Sequence, residues 1–301
     1  MGTTTQKQQL IHAIETRNLG VIQNLLTLGA SVDFPGQTGH DCLVEAVCQG
    51  NLELVRLLLS QGVETQGLTP EGDTLLMPAI DSGQLEVVQC LLHGGADVNA
   101  ASETGETALM VAAAIGDLAI TSLLLAAGAS VHAQNQDGET ALHVAVVEEQ
   151  GEMVELLLAH GADPTVINLL GDCPLTVALL QGYGEIVARL LNHTPMEQAA
   201  ILNQVNEQGT TALILAAQQG RQEMVQLLLS HGANPDVTDQ TESTALMWAA
   251  SRGHALIVQC LTQAGASLNS KNQGGCTALM LASFNRHSTV VQQLQQSGAI
   301  D

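Results

Sequence analysis

Four carboxylates stand at equal intervals along this chain of 301 residues: Asp73, Glu106, Glu139 and Asp172. Each follows a Gly and precedes a Thr or, at Cys173, its replacement. A carboxylate can ligate a cation, move a proton, favour a helix N-terminus or attract a basic protein. The surrounding residues decide among these. "NQDGET" (Asn135–Thr140) has the Asp-Gly of a calcium loop, but lacks the second aspartate pair and the Glu at its twelfth position. The six cysteines, Cys42, Cys48, Cys90, Cys173, Cys260 and Cys276, form no Cys-x-x-Cys pair and share no recurring spacing. The ten His scatter without a His-Glu-x-x-His. Phosphate-binding, dinucleotide-binding and nucleophile-elbow motifs are absent from the sequence. The residues therefore predict no catalytic site, no metal site and no cofactor, and the chain is read as a non-enzyme.

The elements behind the carboxylates repeat with them. "TGETALMVAAAIGD" (Thr104–Asp117) returns as "DGETALHVAVVEEQ" (Asp137–Gln150), 33 residues on. The turn Gly recurs as Gly39, Gly72, Gly105, Gly138, Gly171, Gly209 and Gly275, with Glu242 in one slot. Every step is 33 residues except the 38 from Gly171 to Gly209. Gly105, Gly138 and Gly209 suit tight turns. Thr107, Thr140, Thr211, Thr244 and Thr277 can cap a helix that starts at the next residue, and Pro174 fits a first helical position. The first helix of each unit is rich in Ala (Ala112, Ala113, Ala216, Ala217, Ala249, Ala250), allowing close approach. The second carries the volume, as with Val225, Leu227, Leu228 and Leu229, and ends at a left-handed Gly such as Gly128, Gly161 or Gly232. Cys90 and Cys260 fall in Leu slots of second helices and read as small core residues, with reduced thiols. His160 and His231 precede such a Gly, where an imidazole can meet free helix carbonyls.

This pattern resembles the ankyrin repeat, a β-turn followed by two antiparallel helices. The resemblance runs from about Gln6 to Ala299 and implies an all-α solenoid with β-turn fingers, one domain over 1–301. About nine units are expected: 6–37, 38–70, 71–103, 104–136, 137–169, 170–207, 208–240, 241–273 and 274–301. The sixth holds an inserted short helix near 196–202, opened by Thr194-Pro195-Met196-Glu197 as a capping box. The His of the family's Thr-Pro-Leu-His stretch survives as His143; Met77, Met110, Met247 and Met280 replace it elsewhere and are expected to pack between repeats. The first and last units read as caps. The resemblance also implies a protein-binding scaffold or inhibitor without chemistry of its own, its partner face lined by fingers and by the ends of first helices.

Charge sharpens that expectation. Net charge is −22, and Leu57–Ala188 holds eighteen acids with no Lys or Arg. Finger acids Glu71, Asp73, Glu103, Glu106, Asp137, Glu139 and Asp172, with Asp81 and Glu148 at first-helix ends, are the candidate partner-binding residues. Carboxylates ~10 Å apart repel by only ~0.4 kcal/mol in water, yet a row of them steers a basic partner. Helix capping and solubility explain each acid singly but not the missing cations. A partner protein with a basic surface is expected, without direct nucleic-acid binding, since the charge repels phosphate. The alternatives are mimicry of nucleic acid to occupy a DNA- or RNA-binding protein, and an enzyme site assembled across repeats. No apolar run is long enough for a membrane span, the N-terminus lacks a signal-peptide stretch, and Gln6 stands where N-myristoylation needs Ser or Thr. A cytoplasmic monomer is expected.

Overall fold

A computed structural model describes residues 39–193, 198–206 and 209–300, together with 9, 12, 13, 16 and 18–27. Among the described residues there are eighteen helices and no strand beyond isolated bridges. The chain divides into two compact units, Met1–Gln136 and Asp137–Asp301.

The first unit contains α1 (Leu19–Thr27), α2 (Gly39–Cys48), α3 (Leu52–Ser60), α4 (Leu76–Asp81), α5 (Leu85–His93), α6 (Ala108–Ile115) and α7 (Leu118–Ala126). First helices stack on first helices, α2 on α4 and α4 on α6. Second helices form their own layer, α1 on α3, α3 on α5 and α5 on α7. The second unit contains α8 (Ala141–Val147), α9 (Gly151–Ala159), α10 (Pro174–Gln181), α11 (Gly184–His193) and α12 (Gln198–Asn203). It continues through α13 (Ala212–Gln219), α14 (Gln222–Ser230), α15 (Ala245–Arg252), α16 (Ala255–Gln263), α17 (Ala278–Phe284) and α18 (Ser288–Gln296). Here α8, α10, α13, α15 and α17 stack in one layer, and α9, α11, α14, α16 and α18 in the other.

The sequence explains why these helices begin, end and pack where they do. Thr107, Thr211, Thr244 and Thr277 are N-caps whose Oγ1 accepts the third helical N–H at 3.2–3.4 Å. Cys173 precedes Pro174 without a side-chain cap, and the proline has no N–H to satisfy. The Ala pairs of α6, α13 and α15 are wholly buried, so the stacked first helices meet almost backbone to backbone. Met77, Met110 and Met247 are buried and Met280 is half-buried, filling the space that His143 fills in α8. His160 and His231 each place Nδ1 2.9 Å from the carbonyl four residues back, on Leu156 and Leu227.

Two expectations change. Cys90 and Cys260 are only half-buried, whereas Cys42 and Cys173 are the buried thiols. The described part of the insertion is α12, which buries Ile201 and Leu202. Residues 194–197, with the capping box, lie outside the described residues, as do most of 6–37. Leu202 also stands in the slot of Val98 and Val131, both buried, so it belongs to the repeat rather than to the insertion.

Candidate functional site

Each finger is a turn closed upon itself by backbone and side chain together. Thr69 N donates to the Asp73 carbonyl at 2.7 Å, and Gly72 N to the Thr69 carbonyl at 2.9 Å. Thr69 Oγ1 in turn accepts from Asp73 N at 3.2 Å. Ser102 does the same for Glu106, its Oγ accepting the Glu106 N–H at 3.1 Å. In the second unit Asn168, Asn206, Asp239 and Asn272 take this place. Their side-chain oxygens accept from Asp172, Thr210, Ser243 and Cys276 at 2.9–3.0 Å. A short side chain that imitates a turn carbonyl fixes the finger locally. The signal was in the sequence: an oxygen-bearing side chain recurs three residues before every turn slot from Gly72 to Gly275. It is easily passed over as one more polar loop residue.

Neighbouring fingers are stitched along their backbones. In the first unit Glu103 N donates to the Gly72 carbonyl at 3.0 Å. In the second, Leu169 N donates to Asp137 at 2.8 Å and Gln273 N to Thr241 at 3.0 Å. Stitching brings the acids of successive repeats side by side within each unit. In the first, Glu71, Glu103 and Glu106 are exposed and Asp73 is half-buried, while Asp81 is exposed at the end of α4. In the second, Asp137 is exposed, Glu139 is half-buried and Glu148 is the exposed C-cap of α8.

Asp172 departs from the other three. It is only 9% exposed, and Asn206 of the next finger donates Nδ2–H to its Oδ1 at 3.4 Å. Its carbonyl lies 3.2 Å from His143 Nε2. Equal spacing therefore does not give equal exposure: the following finger lies against this carboxylate. His143 itself is fully buried, and its Nδ1 accepts from Thr140 N at 3.2 Å, so the proton sits on Nε2 and points at Asp172. Burial pushes the imidazole pKa down, against the opposing pull of the carbonyls, and keeps it neutral.

Two arginines of the second unit are already engaged. Arg189 bridges Glu155 and Glu185, each at 2.5 Å. Arg221 donates Nη2–H to the Leu180 carbonyl at 3.1 Å and Nη1–H to that of Leu179. Sequence reasoning also missed an apolar fingertip. Leu169 and Leu170, between Asn168 and Gly171, are 67% and 66% exposed. Among the described residues no cluster of three or more His, Cys, Asp or Glu is arranged to hold a metal ion. None of the described helices is long and apolar enough to cross a membrane.

Comparison with known families gives one result. The family model described as ankyrin repeats (three copies) matches residues 10–102, 94–168, 166–239 and 231–301. No match to a curated protein was found.

Proposed function

Because the chain belongs to the ankyrin-repeat family, whose members generally mediate protein–protein interaction, we propose that it is a non-catalytic scaffold or inhibitor for a basic partner. In each unit the contact is made by the acids of stitched fingers and first-helix ends. These are Glu71, Asp73, Asp81, Glu103 and Glu106 in the first unit, and Asp137, Glu139 and Glu148 in the second. The buried Asp172 instead meets the following finger through Asn206.

One observation carries this reading. Eighteen acids and no Lys or Arg occupy Leu57–Ala188, where outward helix faces ordinarily use cations for i,i+4 pairs. Such a surface raises the rate of encounter with a basic protein more than it lengthens the complex's lifetime.

The test compares two triple variants that change net charge equally. D73N/E106Q/E139Q removes finger acids with little change in shape. E53Q/E86Q/E223Q removes three exposed acids from the first turns of α3, α5 and α14. Proteins captured on the wild-type chain at low salt are expected to be basic and to elute as salt rises. The finger variant should slow their association several-fold and flatten its salt dependence, while the helix variant keeps both. Equal losses from the two variants would mean that net charge alone matters. Displacement of the captured protein by duplex DNA would favour the mimicry alternative.

A further inference from the structure

The side chains of two leucines at one fingertip lie mostly in solvent. Elsewhere the two residues before the turn slot are Pro70-Glu71, Glu103-Thr104, Gln136-Asp137, Glu207-Gln208, Gln240-Thr241 and Gln273-Gly274, none of them a large hydrophobe. At Leu169-Leu170 the backbone performs the usual finger bonds while about two thirds of each residue's surface faces solvent. Ile167, 47% exposed, stands two residues before Leu169. Exposed apolar residues gathered together, unlike ones scattered singly, are a mark of contact surfaces.

The tip is also held firmly. Asn168 Oδ1 accepts from both Leu170 N and Asp172 N at 3.0 Å, and Gly171 N donates to the Asn168 carbonyl at 2.9 Å. Asn168 is itself buried, so the turn is anchored from below. Docking against a pre-ordered turn loses little conformational entropy.

The charge beside the tip identifies the occupant. Leu169 N is bonded to the carbonyl of Asp137, whose side chain is exposed, and half-buried Glu139 follows two residues on. The backbone of Gly138 lies directly against Asn168 and Leu169. We infer that Leu169 and Leu170 form an apolar contact point for a partner segment that carries a large hydrophobic side chain flanked by Lys or Arg, the cations meeting Asp137 and Glu139. This rests on the basic-partner reading and specifies its chemistry for the second unit. A second copy of the chain is a poor occupant, because two copies that each carry a net charge of −22 repel one another. An anionic lipid surface would be repelled.

Two synthetic peptides of equal positive charge test the inference. One carries a central Leu-Leu pair among lysines and glycines, and the other has Gly-Gly in its place. Fluorescence anisotropy measures each at low and moderate salt, against the wild-type chain, L169S/L170S and D137N/E139Q. The wild type is expected to bind the leucine peptide about tenfold more tightly than the glycine peptide, about 1.4 kcal/mol. L169S/L170S should erase that preference and leave glycine-peptide binding unchanged, with circular dichroism confirming an intact fold. D137N/E139Q should weaken both peptides. Equal, salt-sensitive binding of both peptides to the wild type would overturn the apolar contact while leaving the basic-partner reading intact. Failure of both to bind would overturn the two together. A preference that survives L169S/L170S would also overturn it. So would self-association on sedimentation that the double variant abolishes, since that gives the tip to a second copy.

Discussion

Replacing Glu149 or Arg286 by Gly should stabilise the protein. Both residues occupy the turn between the two helices of a repeat, with φ of 55° and 62°. Gly83, Gly116, Gly182, Gly220 and Gly253 hold the same slot in other repeats, with φ from 64° to 89°. The left-handed region costs an L-residue about 1–2 kcal/mol through contact of its Cβ with the backbone. Gly escapes that cost but loses about 0.4–1 kcal/mol more entropy on folding. The net gain is about 0.5–1 kcal/mol for each replacement. The two positions are far apart in sequence with no shared partner described, so their gains should add. Urea unfolding followed by circular dichroism measures the effect. Glu149 also sits near Glu152 in sequence, so charge must be separated from backbone geometry. E149Q removes the charge and keeps the Cβ, and should gain little. The reverse change, G83A, meets no atom within 4 Å and should lose about 1 kcal/mol through φ alone. If E149Q matches E149G, or if G83A is neutral, the backbone argument is wrong.

Asp239 supports two further measurements through Trp248, the single Trp of the chain. Its carboxylate accepts from Trp248 Nε1 at 2.7 Å, Thr241 N at 2.8 Å and Ser243 N at 3.0 Å, so D239A should cost about 2–3 kcal/mol and shift indole emission. Burial raises the Asp239 pKa, but hydrogen bonds from Thr241, Ser243 and Trp248 outweigh it and hold it below the ordinary value. The stability this gives is present above about pH 4 and is lost as pH falls through the depressed folded value, so Trp emission should report acid loosening that D239N lacks. The lowered pKa of His143 means that only the unfolded chain gains a proton below about pH 6.5; stability should decline as pH falls from there, and H143M should remove that slope. L202A should cost about 2–4 kcal/mol in thermal or urea unfolding, whereas deletion of Met196–Ala200, which spares Leu202 and Asn203, should leave cooperative unfolding intact.

Periodicity made the frame of this fold readable because capping and turning are local acts. Thr107 caps its helix through an N–H three residues away, and Gly105 turns the chain by its own φ. Neither needs knowledge of a neighbour, so equal spacing was enough to find them. Glu242 shows how strong the frame is: with φ of 58° it adopts the turn conformation without being Gly. Burial was less legible because it depends on what lies opposite. Asp172 is read with Asp73 by position, but Asn206 from the next finger meets its carboxylate. Cys90 sits in a Leu slot, yet it is only half-covered. In the candidate surface, Glu71, Glu103 and Asp137 emerge as exposed, while Leu169 and Leu170 drew no notice because a Leu-Leu pair looks like core in any helical repeat.

The helix turns of the second unit bear on whether the repeats are interchangeable. Arg221, which follows Gly220, reaches back over Gly182 to the carbonyls that end α10. His287, which follows Gly253's successor in the next repeat, lies over Gly253 and meets the Ser251 carbonyl at 3.0 Å, and His254 lies over Gly220. A Cβ added at Gly182 would come within 2.5 Å of the Arg221 guanidinium, and one at Gly253 within 2.6 Å of the His287 ring. Each junction is thus a matched couple, a bare glycine on one module and a long polar arm on the next. A module transplanted elsewhere in the array would arrive with half of two such couples. Its stability would depend on its new neighbours, and an array shuffled at random would lose several helix-end hydrogen bonds without any change in composition.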